Sequence, residues 1–248
     1  MRSDGRANDE MRSLKIELPY LKGHEGSLLI STGDTKVLCV ATSESKVPAH
    51  RMDIGGWLSA EYNMLPGSTG VRKPRAQIKP DGRSVEISRL IGRSLRQAIN
   101  LDAIGQRSIA IDCDVVQADA GTRCAAITGA YLALCAHIAF LLKTGQIKLK
   151  TIEDIILRPV AAVSLGIVKG QILCDLTYKE DVNADSDCNL VGSSSGQIIE
   201  FQCTAEKKPF SNEQFLSLLK IGQAALEKII AEQEKALFSQ CGVIFKRG

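Results

Sequence analysis

Strands, helices, strands and a final helix follow one another along this chain, an order that predicts an α+β protein and not a doubly wound parallel sheet. Three observations carry the prediction. Residues 27–42 alternate between apolar and polar side chains around a tight turn, residues 124–142 form an apolar run of helical length, and residues 212–236 carry a helical apolar stripe beyond a second group of β-like segments.

Each element can be justified in turn. Ser27 to Ser31 and Thr35 to Thr42 read as strands joined by Thr32-Gly33-Asp34, a hairpin signal. Glu61 to Pro80 lacks an apolar period, carries Pro66, Gly67, Gly70, Pro74 and Pro80, and reads as a long basic loop. Ser84 opens a helix with Ile87, Leu90, Ile91, Leu95 and Ile99 on its apolar stripe, and Arg89, Arg93 and Arg96 share one face of it. Ser108 to Val116 alternates as a strand, and the helix of Cys124 to Leu142 follows. After a connector near Lys143 to Asp154, Val160 to Val168, Gln171 to Tyr178 and Gln197 to Thr204 are β-like, with a turn at Lys169-Gly170. Asn212 to Ala236 closes the chain as a helix, with Phe215, Leu218, Leu219, Leu226, Ile229 and Ile230 at core spacing. Gly222 falls on the same stripe, where it permits a close neighbour.

Composition narrows the class of partner. The 248 residues, 44% hydrophobic and 24% charged, suit a soluble globular protein with well-buried cores. A net charge of +3 says little, but its placement says more. Arg72, Lys73, Arg75, Lys79, Arg83, Arg89, Arg93 and Arg96 face only Asp81 and Glu86 in the same stretch, the footprint of a polyanionic partner. A solvated charged face is the plainer reading. Cys39, Cys113, Cys135 and Cys174 lie in apolar or alternating runs, no Cys-x-x-Cys pair occurs, and Met1 to Glu10 is polar. These features predict reduced cysteines, no zinc site and a cytoplasmic protein. Polar interruptions in every apolar run argue against a membrane span.

Asp119-Ala-Gly-Thr-Arg123 joins the strand ending near Val116 to the apolar helix. Small residues there let a ligand approach the backbone, and the free N–H groups of a helix start favour an anion. Thr122 adds a hydroxyl and Arg123 a planar fork suited to phosphate oxygens. Taken alone, a turn glycine, a helix-capping threonine and a surface arginine explain the motif equally well. Asp175, Glu180, Asp181, Asp185 and Asp187 crowd a second segment. A solvated acidic loop is the plain reading, yet these residues flank Asn189-Leu-Val, which reads as buried strand. Carboxylates at strand ends can converge on a cleft to hold Mg²⁺ or a proton.

Longer matches go further. Met1-Arg-Ser-Asp-Gly-Arg, Gly33-Asp-Thr-Lys-Val-Leu-Cys, Gly56-Trp-Leu-Ser-Ala-Glu-Tyr-Asn-Met-Leu-Pro, Gly82-Arg-Ser-Val-Glu-Ile-Ser-Arg-Leu-Ile-Gly-Arg-Ser-Leu-Arg, Ile111-Asp-Cys-Asp-Val-Val-Gln-Ala-Asp-Ala-Gly-Thr-Arg, Ala125-Ala-Ile-Thr-Gly-Ala, Cys174-Asp-Leu-Thr-Tyr-Lys-Glu-Asp and Glu200-Phe-Gln-Cys-Thr-Ala-Glu resemble, in order, segments of the bacterial ribonuclease PH family. The resemblance covers nearly the whole chain. It implies a ribosomal protein S5 domain 2-like β-α-β-α core in residues 1–146 and a smaller α/β C-terminal region in 155–248. It implies a phosphate-dependent 3′→5′ exoribonuclease that trims precursor tRNA, releases nucleoside diphosphates, and can run in reverse as a nucleotidyltransferase.

By the same resemblance, inorganic phosphate is the co-substrate, bound by Arg83, Gly121, Thr122 and Arg123. Asp181 and Asp187 are catalytic and hold Mg²⁺, and Arg72, Arg75, Arg89, Arg93 and Arg96 are candidates for gripping RNA. Arg93 or Arg96 pairing with a structural carboxylate is the alternative. The family forms homo-hexamers, three dimers in a ring, with no membrane association. Gly67 stands where the family has an arginine, Ala120 and Cys124 replace a glycine and a threonine, and Cys203 replaces a glycine. Aromatic residues make up 4% of the chain, so base stacking is expected to be minor unless Tyr62 or Phe201 lines the RNA path. Rival readings are a non-catalytic ring subunit, which would lack the arginines or aspartates, and a small-molecule phosphotransferase, which would need a glycine-rich loop of the Walker or kinase kind.

Overall fold

In the computed structural model, residues 2–75, 81–148 and 150–242 are described. Strands β1 (Leu14–Glu17), β2 (Ser27–Thr32) and β3 (Thr35–Glu44) form an antiparallel meander. Its second turn is a two-residue Gly33-Asp34 link with Gly33 at φ 56°, one residue shorter than the expected Thr32-Gly33-Asp34 because Thr32 still pairs with Thr35. Strand β4 (Trp57–Met64) then runs parallel to β5 (Ser108–Gln117), and helix α1 (Gly82–Arg96) makes the crossover between them. Helix α2 (Thr122–Lys143) completes the β-α-β-α succession, and the five-stranded sheet has the order β1-β2-β3-β5-β4.

Strand β4 corrects the expectation of a loop from Glu61. Its residues alternate in burial, with Leu58 and Tyr62 inside and Ser59, Glu61 and Asn63 exposed, but two polar flanks per buried residue hid that period. The basic loop therefore starts at Leu65, and its residues 76–80, Lys79 among them, lie outside the described residues. Helix α1 begins two residues before Ser84. Its N-cap is Asp81, whose carboxylate accepts the Ser84 N–H at 2.6 Å.

The second half is a four-stranded antiparallel sheet of order β7-β6-β8-β9, made of β6 (Ala161–Val168), β7 (Gln171–Cys174), β8 (Ser186–Gly192) and β9 (Ile198–Ala205). Short α3 (Ile152–Ile155) lies in the connector, and single-turn α4 (Tyr178–Asp181) follows β7. The expected strand to Tyr178 therefore stops at Cys174. Asp175 takes φ 52°, and Thr177 with Glu180 forms a capping box that starts α4. Helix α5 (Asn212–Cys241) runs farther than the predicted Ala236, and its Gly222 allows the expected approach: an added Cβ would stand 2.7 Å from Leu190 and 2.8 Å from Leu165.

Helix α2 lies between the two sheets. Its long apolar composition meets the length and hydropathy of a membrane span, at a mean hydropathy of 1.9, despite the polar residues within it. In this fold 83% of that stretch is buried, because β2 and β3 cover one side and β6 another. Strand β6 is itself covered on both faces, with Ala161, Val163, Leu165 and Ile167 in the core under α5 and Ala162 hydrogen-bonded to Thr128 of α2. Gln233 of α5 donates to the carbonyls of Thr128 and Val160 and ties the three elements together.

The cysteines are not uniform. Cys39, Cys113, Cys124, Cys135 and Cys174 are buried free thiols, but Cys188 and Cys203, cross-strand partners on β8 and β9, form a disulfide. This corrects the expectation that all are reduced. Fifteen residues separate the two in sequence, and only strand pairing brings them together.

Candidate active site

The turn between β5 and α2 is held in an unusual shape. Ala120 and Gly121 are consecutive left-handed residues, at φ 56° and 62°. Thr35, at the start of β3, fixes them: its hydroxyl accepts the Asp119 N–H at 2.9 Å and donates to the Ala120 carbonyl at 2.7 Å. Gly121 is the N-cap and has no side chain to offer, so the first-turn N–H groups of α2 stay open to a ligand. The Thr122 hydroxyl does not cap the helix. It is hydrogen-bonded at 2.8 Å to the hydroxyl of buried Tyr62 on β4. Arg123 donates to Gln202 at 2.8 Å and Glu86 at 3.3 Å, and Arg83 stands exposed in the first turn of α1.

Opposite this cradle, the acidic cluster divides into two kinds of group. Asp175 and Glu180 turn inward. Asp175 accepts from the Arg12 side chain at 2.6 and 2.9 Å, and Glu180 accepts both bonds of the Arg2 fork at 2.8 and 2.7 Å. Burial pushes the Glu180 carboxyl up, but Arg2 and the Thr177 N–H outweigh it and hold it below its ordinary value. Asp119 bridges the halves: one carboxylate oxygen accepts the Tyr178 N–H at 2.9 Å, and the other pairs with Arg12 at 3.2 Å. A four-residue helix has little stability of its own. Here Asp119 ties its first residue and Arg2 its third, which fixes the fourth, Asp181.

Asp181 and Asp187 remain half-buried, and their carboxylates make no hydrogen bond or ion pair with another described residue. Burial raises the Asp181 carboxyl, while Arg83 and Arg123 pull it back. Burial, and then the neighbouring Asp181, raise Asp187 to about 6.

These groups share one cleft of about 610 Å³, which Arg83, Gly121, Thr122, Arg123, Asp181 and Asp187 all line. The sequence-predicted phosphate and carboxylate residues are thus brought together from both halves of the chain. Lys73, Ser164, Tyr178 and Asn189 join them; Lys73 belongs to the basic stretch read from sequence, and the other three were not proposed as site residues. Arg72, Arg75 and Arg89 are exposed. Arg93 is paired with a carboxylate, as the alternative reading allowed, and Arg96 is engaged by a carbonyl and a ring. Arg93 makes a two-pronged pair with Glu200 of β9, while Arg96 donates to the Leu58 carbonyl and lies over the Trp57 ring at 4.9 Å. Tyr62 is 1% exposed and Phe201 meets Phe215 edge-on, so neither lines the cleft. Thr35, Tyr62, Arg2, Arg12 and Asp119 act here through long-range contacts, for which local sequence carries no signal.

Solved structures with this arrangement of sheets and helices define the fold class. An Archaeoglobus fulgidus exosome chain, from a structure with RNA bound to the active site, superposes with a TM-score of 0.80, covering 93% of this chain and 92% of that one at 20% identity. Rrp46 from rice (Oryza sativa) gives 0.74, covering 95% and 99% at 19% identity. The sequence is more telling. Residues 10–137 match domain 1, and residues 158–225 domain 2, of the 3′ exoribonuclease family. A ribonuclease PH from Corynebacterium kroppenstedtii is 45% identical over 240 residues, 96% of this chain and 93% of that protein. The chain belongs to the 3′ exoribonuclease family.

Proposed function

We infer that this cleft performs phosphorolysis of RNA from the 3′ end, the reaction of a ribonuclease PH acting on tRNA precursors. The observation that carries the residue assignment is the meeting of an open helix N-terminus and two arginines with two unpaired carboxylates in one cleft.

Phosphate and phosphodiester are both anions, and their approach in a poorly hydrated cleft is unfavourable without fixed positive groups. Arg83, Arg123 and the first N–H groups of α2 supply those, with the Thr122 hydroxyl oriented by Tyr62. An oxygen of inorganic phosphate bonds to the terminal phosphorus, and the bond from that phosphorus to the preceding 3′ oxygen breaks. The products are a nucleoside diphosphate and an RNA one residue shorter with a free 3′ hydroxyl. Asp187, raised to about 6, keeps about a tenth of its protons at pH 7 and is the group we assign to protonate the departing oxygen. The reverse reaction uses the same contacts.

Two carboxylates without protein partners suit Mg²⁺, which takes one or two of them and keeps waters and substrate oxygens for the rest. Among the described residues no group of three or more His, Cys, Asp or Glu offers a fuller protein cage. When bound there, the ion would neutralise charge on the departing oxygen. We assign Arg72, Arg75 and Arg89, exposed, with cleft-lining Lys73, to the RNA backbone, and a ring of six chains to the assembly, by likeness to the family. A native mass measurement tests the ring.

The reaction is tested with a 3′-extended tRNA, Mg²⁺ and either phosphate or sulfate. Shortening with release of nucleoside diphosphates is expected only with phosphate, and Arg123→Ala or Asp181→Asn should abolish it in a folded protein. Release of monophosphates in phosphate-free buffer would point to hydrolysis instead. Retention of both arginines and both aspartates in one cleft also disfavours a non-catalytic subunit.

A further inference from the structure

Tyr178 is the one aromatic ring on the described wall of the cleft, and it is 60% exposed. Its side chain makes no hydrogen bond and no aromatic-ring contact with another described residue, while its N–H is held by Asp119 at 2.9 Å. The backbone is fixed and the ring is free, the arrangement expected of a platform and not of a core residue. Tyr178 is also the first residue of α4 and Asp181 the fourth. Residues three apart on a helix are neighbours, with Cβ atoms about 5–6 Å apart. A planar group resting on Tyr178 therefore lies within one nucleotide of whatever reacts beside Asp181.

We propose that Tyr178 stacks on the base of the 3′-terminal nucleotide of the RNA and so sets the scissile phosphodiester between the phosphate cradle and Asp181. The chemistry suits the task. Every base has a π-face, so a stacking contact holds any of the four without reading its edge, as stepwise trimming requires. The surrounding cleft residues Arg83, Lys73 and Arg123 supply backbone charge but no flat apolar surface. Fixing the helix start through Asp119 means little ordering is left to do when the base arrives. The proposal rests on the phosphorolytic reading of this cleft.

The test compares wild type with Tyr178→Ala and Tyr178→Phe. Alanine keeps the backbone N–H that Asp119 accepts, and the residue is exposed, so the fold should be unaffected. Tyr178→Ala is expected to raise KM for RNA about 10-fold and leave KM for phosphate unchanged, while Tyr178→Phe behaves as wild type. A 2-aminopurine at the RNA 3′ end should be quenched on binding to wild type in phosphate-free buffer, and much less by Tyr178→Ala. RNA ending in an abasic ribose should bind both proteins equally weakly. The proposal is overturned if Tyr178→Ala keeps the wild-type KM for RNA and the quench. It is equally overturned if the two proteins still differ on the abasic RNA, or if the substitution acts by changing the native mass. Failure of the wild type to shorten RNA with phosphate sinks the phosphorolytic reading itself, a distinguishable result.

Discussion

The two walls of the cleft are built by different physics. The cationic wall starts a 22-residue helix sunk between two sheets, and the turn before it is stitched to β3 by Thr35. The acidic wall sets Asp187 of β8 beside one turn of helix whose first residue is exposed and whose position depends on Asp119, Arg2 and Arg12. Hydrophobic burial fixes the place where phosphate would sit, and buried ion pairs fix the place of the carboxylate. Burial tolerates small changes smoothly, whereas a buried pair fails when one member is removed, because the other charge is left without a partner. The acidic wall should therefore be the fragile one.

Arg12 gives the largest expected effect. Its side chain is 7% exposed and that of Asp175 is 6% exposed. Arg12→Ala leaves the Asp175 carboxylate only Arg6 at 3.6 Å and the backbone N–H of residue 12 at 2.8 Å, and should cost about 3 kcal/mol in denaturant unfolding. An unchanged midpoint would mean that the ion network does not secure this wall. Asp119→Ala comes next: it frees the start of α4 and should lower kcat about 10- to 100-fold, since roughly 1 Å of misplacement costs that much. KM for phosphate should stay near wild type, and Asp119→Asn, which still offers an oxygen to Tyr178, should recover much of the rate. Equal losses in kcat and phosphate binding would show that Asp119 serves the cradle instead.

Protonation separates the walls in a third way. Asp187 is raised to about 6 against an ordinary 3.8, so the folded protein binds this proton more tightly than the unfolded chain. Its contribution to stability is complete below about 3.8 and disappears as pH rises through 6. Buried His137, lowered from 6.5 to about 4 by burial and then by Arg107, has the opposite sign: its contribution is full above 6.5 and is lost as pH falls toward 4. In Mg²⁺-free urea titrations, the stability gained by Asp187→Asn should be large at pH 7 and shrink toward pH 4. A gain independent of pH would remove this assignment.

Two smaller effects probe the cationic side. Space around Gly67 is open, with no atom within 4 Å of an added Cβ. Gly67→Arg, the residue that the resemblance implies at this position, should tighten RNA binding about threefold and steepen its salt dependence by about one ion. An unaltered salt slope would place this loop away from the RNA. Ala120 sits at φ 56°, where a Cβ is unfavourable. Ala120→Gly should raise stability by about 1 kcal/mol, or roughly 2–4 °C in Tm, with activity kept. A lower Tm would show that this turn is not strained by its side chain.

Local sequence determined a good deal of this. The Gly33-Asp34 hairpin, the α5 stripe and the apolar run of α2 follow from periodicity and turn chemistry, which act over a few residues. Family resemblance located Arg83, Gly121, Thr122, Arg123, Asp181 and Asp187. Tertiary structure alone decided which acidic residues face the cleft and which are neutralised within the fold. Asp175 and Asp181 lie six residues apart and look alike in sequence, yet one meets Arg12 and the other stays open. It likewise paired Arg93 with Glu200, laid Arg96 over Trp57, joined Cys188 to Cys203, and set Tyr178 beside Asp181. The physical reason is that a charge or a thiol takes its role from the groups that meet it, and in this chain those groups lie up to 178 positions away.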